Sequence, residues 1–329
     1  MDKNAKIYVA GHRGLVGSAL IRQLKKQGYD NIISRTHTEL DLTNQSAVQM
    51  FFDSEKPEYV ILAAAKVGGI HANNTYPAEF IHENLAIQTN IIHHSYLAGV
   101  KRLLFLGSSC IYPRDCQQPI KEEYLLTGEL EPTNRPYALA KIAGIEMCWA
   151  YNRQYGTKFI AAMPTNCYGP EDNYDPDTSH VLPALIRKIH EAKSAGSHEI
   201  TIWGTGKPKR EFIYSDDLAE GCIFLLSLND FEMDKIVSVK DAPPVFNVGT
   251  GVDNSILDIA KTIAGIIGFE GEINFDLTKP DGTPRKLLSI ERMKNLGWSP
   301  KYDLIEGIQQ AYLAYKVTLE SDQGVQVEK

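Results

Sequence analysis

Short apolar runs separated by amphipathic stretches set the rhythm of the first half of this chain. Nearly unbroken apolar segments at 6–10, 32–34, 59–63, 102–106 and 159–163 read as strands. Helical spacing fills the intervals at 16–26, where Leu20 and Leu24 share a face, and at 45–52, 78–97 and 137–154. A strand that is apolar on both faces needs cover on both. The alternation therefore predicts an α/β fold, a doubly wound parallel sheet with helices above and below.

From Tyr168 the texture changes. Gly169-Pro170-Glu-Asp-Asn-Tyr, Thr205-Gly-Lys-Pro and Asp281-Gly-Thr-Pro are loop-rich segments between short elements, as expected of a substrate lid assembled from insertions. Residues 212–226 and 246–248 are apolar enough to return to the main sheet. The expected division is a first domain over 1–167, rejoined by 211–227 and 244–251. A smaller, interleaved C-terminal α/β domain would take 168–210, 228–243 and 252–320, and 321–329 would form a polar tail. No internal repeat is visible.

Composition narrows the function classes. The 329 residues are 43% hydrophobic and 23% charged, as in an ordinary soluble enzyme. A net charge of −7 argues against nucleic acid as the main partner, and no apolar run approaches the length of a membrane span. The first residues run straight into a strand and leave no room for a signal peptide. Five scattered cysteines without a CxxC suggest free thiols in a reducing, cytoplasmic setting and no metal site.

The first predicted strand ends in Ala10-Gly11-His12-Arg13-Gly14-Leu15-Val16-Gly17. This spacing between a strand and a helix is that of a dinucleotide loop, and it makes the sheet a Rossmann-type fold. Gly11 permits the turn, Gly14 lets the backbone approach a pyrophosphate, and Gly17 lets helix and strand touch. A site for NAD usually ends its second strand with an acid for the ribose hydroxyls. Here that strand ends Ile33-Ser34-Arg35-Thr36-His37 with no acid. Arg13 and Arg35 converging on one point suit a 2′-phosphate, so the cofactor expected is NADPH. Asp41 and Leu42 follow where the adenine is contacted in related sheets.

Tyr137 and Lys141 lie four residues apart and share a helix face. A cation beside a phenol favours the phenolate and brings its acid–base chemistry nearer working pH. Such a pair alone is common on surfaces, but here it accompanies Gly107-Ser108-Ser109-Cys110 at the end of the fourth strand. A serine hydroxyl there can bond a substrate oxygen and relay a proton to the tyrosine. Pro164-Thr165-Asn166 follows the fifth strand at the same edge, within reach of a nicotinamide.

The Gly-x2-Gly-x2-Gly loop, Ser108-Ser109, Tyr137-x3-Lys141 and Tyr168-Gly169-Pro170 together resemble the extended short-chain dehydrogenase/reductase family. Longer blocks are similar to its GDP-L-fucose synthase branch: Ala63-Ala-Ala-Lys-Val-Gly-Gly-Ile70, Ala72-Asn-Asn-Thr-Tyr-Pro77, Gly107-Ser-Ser-Cys-Ile-Tyr-Pro113 and Lys279-Pro-Asp-Gly-Thr-Pro-Arg-Lys286. The resemblance implies NADP(H), a GDP-sugar substrate and a homodimer. It also implies 3,5-epimerisation of GDP-4-keto-6-deoxy-D-mannose followed by reduction of the C4 ketone. Tyr137 would donate the proton at reduction, Ser108 would polarise the C4 oxygen, and Lys141 would lower the phenol's pKa and hold the nicotinamide ribose. Cys110 and His180 would move the protons of epimerisation.

The same resemblance extends the cofactor site to Ala64, Leu106, Gly107, Cys167 and His180. For substrate it implies Ser108, Ser109, Asn166, Trp203, Asp281 and a set of cations. Arg187, Lys188, Lys207, Lys209, Arg210, Arg285 and Lys286 are the candidates for the two phosphates, with Arg210 and Lys286 inside matched blocks. His37 stands where the family often has a second arginine, and Lys188 where an arginine is expected, so its phosphate contact would be less bidentate. The competing expectations are another nucleotide-sugar 4-reductase, an epimerase or dehydratase that retains NAD, and a non-catalytic cofactor-binding scaffold.

Overall fold

The structure, a computed structural model, describes residues 1–176, 178–279 and 281–327. Pro280 of the 279–286 block, and the last two residues of the expected polar tail, lie outside the described residues.

Strand and helix alternate through the first half: β1 (Ile7–Ala10), α1 (Leu15–Lys26), β2 (Ile32–Ile33), α2 (Gln45–Glu55), β3 (Tyr59–Leu62), α3 (Ile70–Thr75), α4 (Pro77–Leu97), β4 (Arg102–Leu106), α5 (Arg135–Tyr155) and β5 (Phe159–Pro164). Then follow β6 (Asn166–Tyr168), α6 (Val181–Ser194), β7 (Glu199–Trp203), β8 (Lys209–Tyr214), α7 (Ser215–Ser227), α8 (Asp230–Val237) and β9 (Val245–Val248). The chain ends with β10 (Asp253–Ser255), α9 (Ile256–Ile267), β11 (Glu272–Asp276), β12 (Arg285–Lys286), α10 (Glu291–Asn295) and α11 (Leu304–Val327).

The main sheet is parallel, with strand order β2-β1-β3-β4-β5-β9. Its strands are short and buried on both sides, which is why they read as apolar runs. One face packs under α1 and α7 through Leu20, Leu24, Leu218 and Cys222. The other packs under α2, α4 and α5 through Phe52, Ile91, Ile92 and Ile145. β1 lies between β2 and β3, so the chain reverses its direction of travel there and a crevice opens at the carboxyl ends of β1 and β3.

Residues 212–214 do not return to the main sheet as their hydrophobicity suggested. They form the end of β8, which pairs with β6 and, through its first half, with β10 and β12. Helix α7, which follows at once, is the part of 212–226 that covers the main sheet. A second core, built on Tyr168, Leu182, Ile186, Ile259 and Ile263, holds β8 against α6, α9 and α11. A Cβ at Gly307 would stand 2.1 Å from the Tyr168 hydroxyl, so α11 lies flush on that ring.

Glu211 ties the two parts together. Its carboxylate is fully buried and accepts from the amides of Thr250 (2.6 Å), Gly251 (2.8 Å) and Leu288 (2.8 Å). Its carbonyl accepts from Thr165 Oγ1 and Asn166 Nδ2 at 3.1 and 2.8 Å. Burial pushes its pKa up, and the three amides oppose that shift. The segment after β5, the turn after β9 and the segment after β12 are thereby gathered around one residue.

Candidate active site

At the end of β1, Gly11 adopts φ +86°, and a Cβ there would lie 2.6 Å from the Ala64 amide nitrogen. A Cβ at Gly17 would lie 2.0 Å from the Gly11 carbonyl oxygen. Both glycines are thus required by the packing of loop, strand and helix. Gly14 differs: its Cβ would meet only the Gly11 oxygen, at 3.7 Å. Gly14 also caps α1 with no side-chain bond, so the first amides of a twelve-residue helix are left for an anion. The loop formed by His12, Arg13, Leu15 and Val16 completes a cradle that fits a dinucleotide pyrophosphate.

The two expected guanidiniums are not both free. Arg13 is exposed, but Arg35 pairs with Glu55 on α2 at 2.5 Å and lies 5.7 Å from the Phe51 ring centre. An acid also stands at the end of β2, contrary to the reading of the strand alone. A turn at Thr36 brings Glu39 back, and its Oε2 accepts from the Thr36 amide at 2.7 Å and hydroxyl at 2.8 Å. The Thr-x-x-Glu spacing of a capping box was the available signal. His37 is exposed, and Asp41 is held by the amide and hydroxyl of Thr43 (2.9 and 2.7 Å). The Leu42 carbonyl is bonded by Asn90.

Four of the catalytic candidates come together. The turn at 109–111 is capped by the Ser108 hydroxyl, which accepts from the Cys110 amide at 3.4 Å, and it buries Cys110. Tyr137, in the first turn of α5, packs edge-on to Phe80 at 6.2 Å and is bonded by Ser108. Lys141, only 3% exposed, donates to the Leu106 carbonyl at 2.8 Å and lies 5.7 Å from the Tyr137 ring centre.

Burial sets the resting protonation of this cluster. It lowers the Lys141 ammonium to about 8, pushes the Tyr137 phenol well up, and raises the Cys110 thiol. The Ser108 hydrogen bond opposes the shift of Tyr137. For Cys110 the chief opposing influence is the Lys286 cation, ahead of Ser108 and Lys141. Sequence reasoning had placed Lys286 at the phosphates and missed this relation.

His180 stands at the N-terminus of α6 in extended conformation. Its side chain is open to solvent on one side, and the protein around the ring lowers its pKa by partial desolvation. Among the described residues, no hydrogen bond joins it to Tyr137 or Cys110. Thr165 and Asn166 are fixed by the Glu211 carbonyl, and Pro164 pairs with Val248. Cys167 packs against the core under α1 and α7, and its main chain lies in the ladder between β6 and β8. Gly107 lies under Met163, while Ser109 is buried in the turn.

At the outer end, Arg210 and Lys286 stand opposite one another on paired strands β8 and β12. Arg210 bonds the Thr283 carbonyl at 2.5 Å, and Asp281 clasps the amide and hydroxyl of Thr205 beside it (2.8 and 2.7 Å). Trp203 is 68% exposed, with Lys279 at 5.3 Å from its ring centre. Arg187 and Lys188 are not joined to this group. Arg187 binds Glu191 and the Tyr174 carbonyl, and Lys188 the Thr201 carbonyl. Lys207 and Lys209 are exposed, and Arg285 pairs with Asp253.

The chain is similar to known proteins over almost its whole length. The sequence pattern of the NAD dependent epimerase/dehydratase family matches residues 7–249. GDP-L-fucose synthase 1 of Arabidopsis thaliana is 57% identical over 311 residues, which cover 94% of this chain and 93% of that protein. GDP-L-fucose synthase of Escherichia coli K12 is 50% identical over 310 residues, covering 93% and 95%. A solved GDP-mannoheptose C4 reductase from Campylobacter jejuni, with NADP bound, superimposes with a TM-score of 0.88. It is 44% identical, and the match covers 96% of this chain and 99% of that one.

Proposed function

The chain belongs to the NAD dependent epimerase/dehydratase family, and on that premise we propose that it converts GDP-4-keto-6-deoxy-D-mannose to GDP-L-fucose with NADPH. The observation that carries this reading is the placement of the Cys110 thiol beside the reductase group of Ser108, Tyr137 and Lys141. A plain reductase has no use for a thiol there, whereas an epimerase needs a proton carrier beside the ketone.

The ketone at C4 acidifies the hydrogens on C3 and C5, so one carbonyl site serves both inversions and the reduction. Ser108 and Tyr137 donate to the C4 oxygen and stabilise the enolate charge. In the thiolate–imidazolium form of Cys110 and His180, the thiol's proton resides on His180. Cys110 in that form removes a proton from the ring carbon, and the Lys286 cation offsets part of the cost of the buried thiolate. His180 is assigned the opposite face, where an imidazole returns a proton. The α1 cradle, Arg13, Arg35, Lys141 and the 164–166 segment would hold NADPH, which when bound would supply the hydride for C4. Tyr137, kept protonated by burial, gives its proton to the C4 oxygen.

The same reading gives residues 1–167, with 215–227 and 244–251, to the cofactor, and the remainder up to 320 to the GDP-sugar. Arg210 and Lys286 are proposed for the phosphates and Trp203 for the nucleotide end. Leu97, Leu139 and Tyr155 leave exposed apolar surface on α4 and α5, which supports a homodimer through those helices. The five free cysteines support a cytoplasmic setting. Among the described residues, no helix is long and apolar enough to cross a membrane.

Similarity to a GDP-mannoheptose C4 reductase favours a second reading, a GDP-sugar 4-reductase without epimerisation. Incubation with GDP-4-keto-6-deoxy-D-mannose in D2O without NADPH separates the two. Deuterium entering C3 and C5 is the expected result. A substrate that stays unlabelled would leave only the reductase.

A further inference from the structure

Resting on the NADP(H) reading above, we propose that Glu39 is a specificity-determining residue for the cofactor. Its carboxylate is an internal anion held on Thr36, the residue directly after Arg35, against which a 2′-phosphate at the end of β2 must compete. The turn that carries it is built to hold it there. The Glu39 and Leu40 amides both return to the Thr36 carbonyl, at 3.1 and 2.9 Å, and the Leu40 side chain is buried. The carboxylate then closes on the amide and hydroxyl of Thr36, the residue directly after Arg35.

The charges around this point form one cluster. Arg35 is already paired with Glu55; the two Thr36 bonds hold the Glu39 carboxyl below the usual range, and the fields of Arg35 and Arg13 add to them. His12, bonded to the main chain of Arg35, lies within the field of both Arg13 and Glu39. Glu55 and Glu39 thus attend the two arginines, but in different ways. Glu55 is bound to Arg35 directly, whereas among the described residues neither arginine closes an ion pair on Glu39. A phosphate bonded by the guanidiniums would lie in the field of the Glu39 charge. A ribose 2′-hydroxyl would instead find an acceptor in it.

The test is equilibrium binding, with no sugar substrate present. Glu39→Gln keeps the acceptor for Thr36 and removes the charge. Calorimetric titration is expected to show NADPH and adenosine 2′,5′-bisphosphate binding about two- to fivefold more tightly to the variant. NADH and 5′-AMP should bind equally or more weakly, and the difference should shrink as salt rises. Glu39→Asp, which keeps the charge, should lie nearer the wild type. Equal tightening of both cofactors, or no change for NADPH, would overturn the role of Glu39. A wild-type protein that bound neither NADPH nor the bisphosphate would overturn the cofactor reading and this inference with it.

Discussion

Lys141 Nζ donates to the carbonyl oxygen of Leu106 across 2.8 Å, from the second turn of α5 to the last residue of β4. This bond anchors a buried cation beneath the crevice edge and orients the helix turn that carries Tyr137. The phenol above it stays protonated by burial. It is therefore ready to give a proton to an alkoxide formed at C4.

Replacing Tyr137 by Phe should slow reduction roughly 10²- to 10⁴-fold. The ring contact with Phe80 survives the change, so thermal stability and cofactor affinity should stay near those of the wild type. Single-turnover NADPH oxidation, together with a cofactor titration, checks both. Wild-type turnover would exclude Tyr137 as the donor.

Cys110→Ser should abolish deuterium uptake at C3 and C5 while NADPH still binds. Lys286→Met removes the cation that most opposes the rise of the thiol's pKa. The pH midpoint of exchange should accordingly move upward in that variant. A midpoint that does not move would remove Lys286 from any role in activating the thiol.

The three loop glycines should separate fold from ligand. Gly17→Ala drives a methyl into the Gly11 carbonyl, and overpacking of this kind costs on the order of 1–3 kcal/mol. Gly14→Ala meets only one ordinary contact inside the protein, so it should fold normally. Its loss should appear as cofactor affinity weakened by about tenfold or more, since the added methyl points where the pyrophosphate approaches. Melting curves and NADPH titrations on both variants decide the matter.

Asp172 carries a stability signature. Its carboxyl is raised from an ordinary 3.8 to about 7 by burial, and its Oδ2 has no partner among the described residues. The native state therefore keeps a proton that the unfolded chain has released, and stability falls as pH rises from about 4 through 7. Asp172→Asn should match the wild type near pH 4. By pH 8 it should be more stable by on the order of 2–4 kcal/mol, read from denaturant midpoints at each pH.

The main sheet was legible because its strands are buried on both faces and so appear as unbroken apolar runs. The glycine loop was legible because its spacing answers to a local geometry. Residues 212–214 show the limit of that logic, since an apolar run reports burial but not which sheet provides it. Glu211, set between Arg210 and Phe212, looks like a solvated acid until three distant amides are brought to it. Lys286 reaches the field of Cys110 only because a two-residue strand in a polar segment pairs with β8. Glu39 escaped a reading that stopped at the strand end, because the turn that returns it lies beyond.

The most direct test of the account is to add GDP-4-keto-6-deoxy-D-mannose and NADPH to the purified protein. NADPH absorbance is followed, and the product's ring stereochemistry is then assigned by NMR. The account predicts oxidation of NADPH with GDP-L-fucose, inverted at C3 and C5, as the product. Oxidation yielding a GDP-deoxyhexose with both centres unchanged would contradict it and remove the roles given to Cys110 and His180.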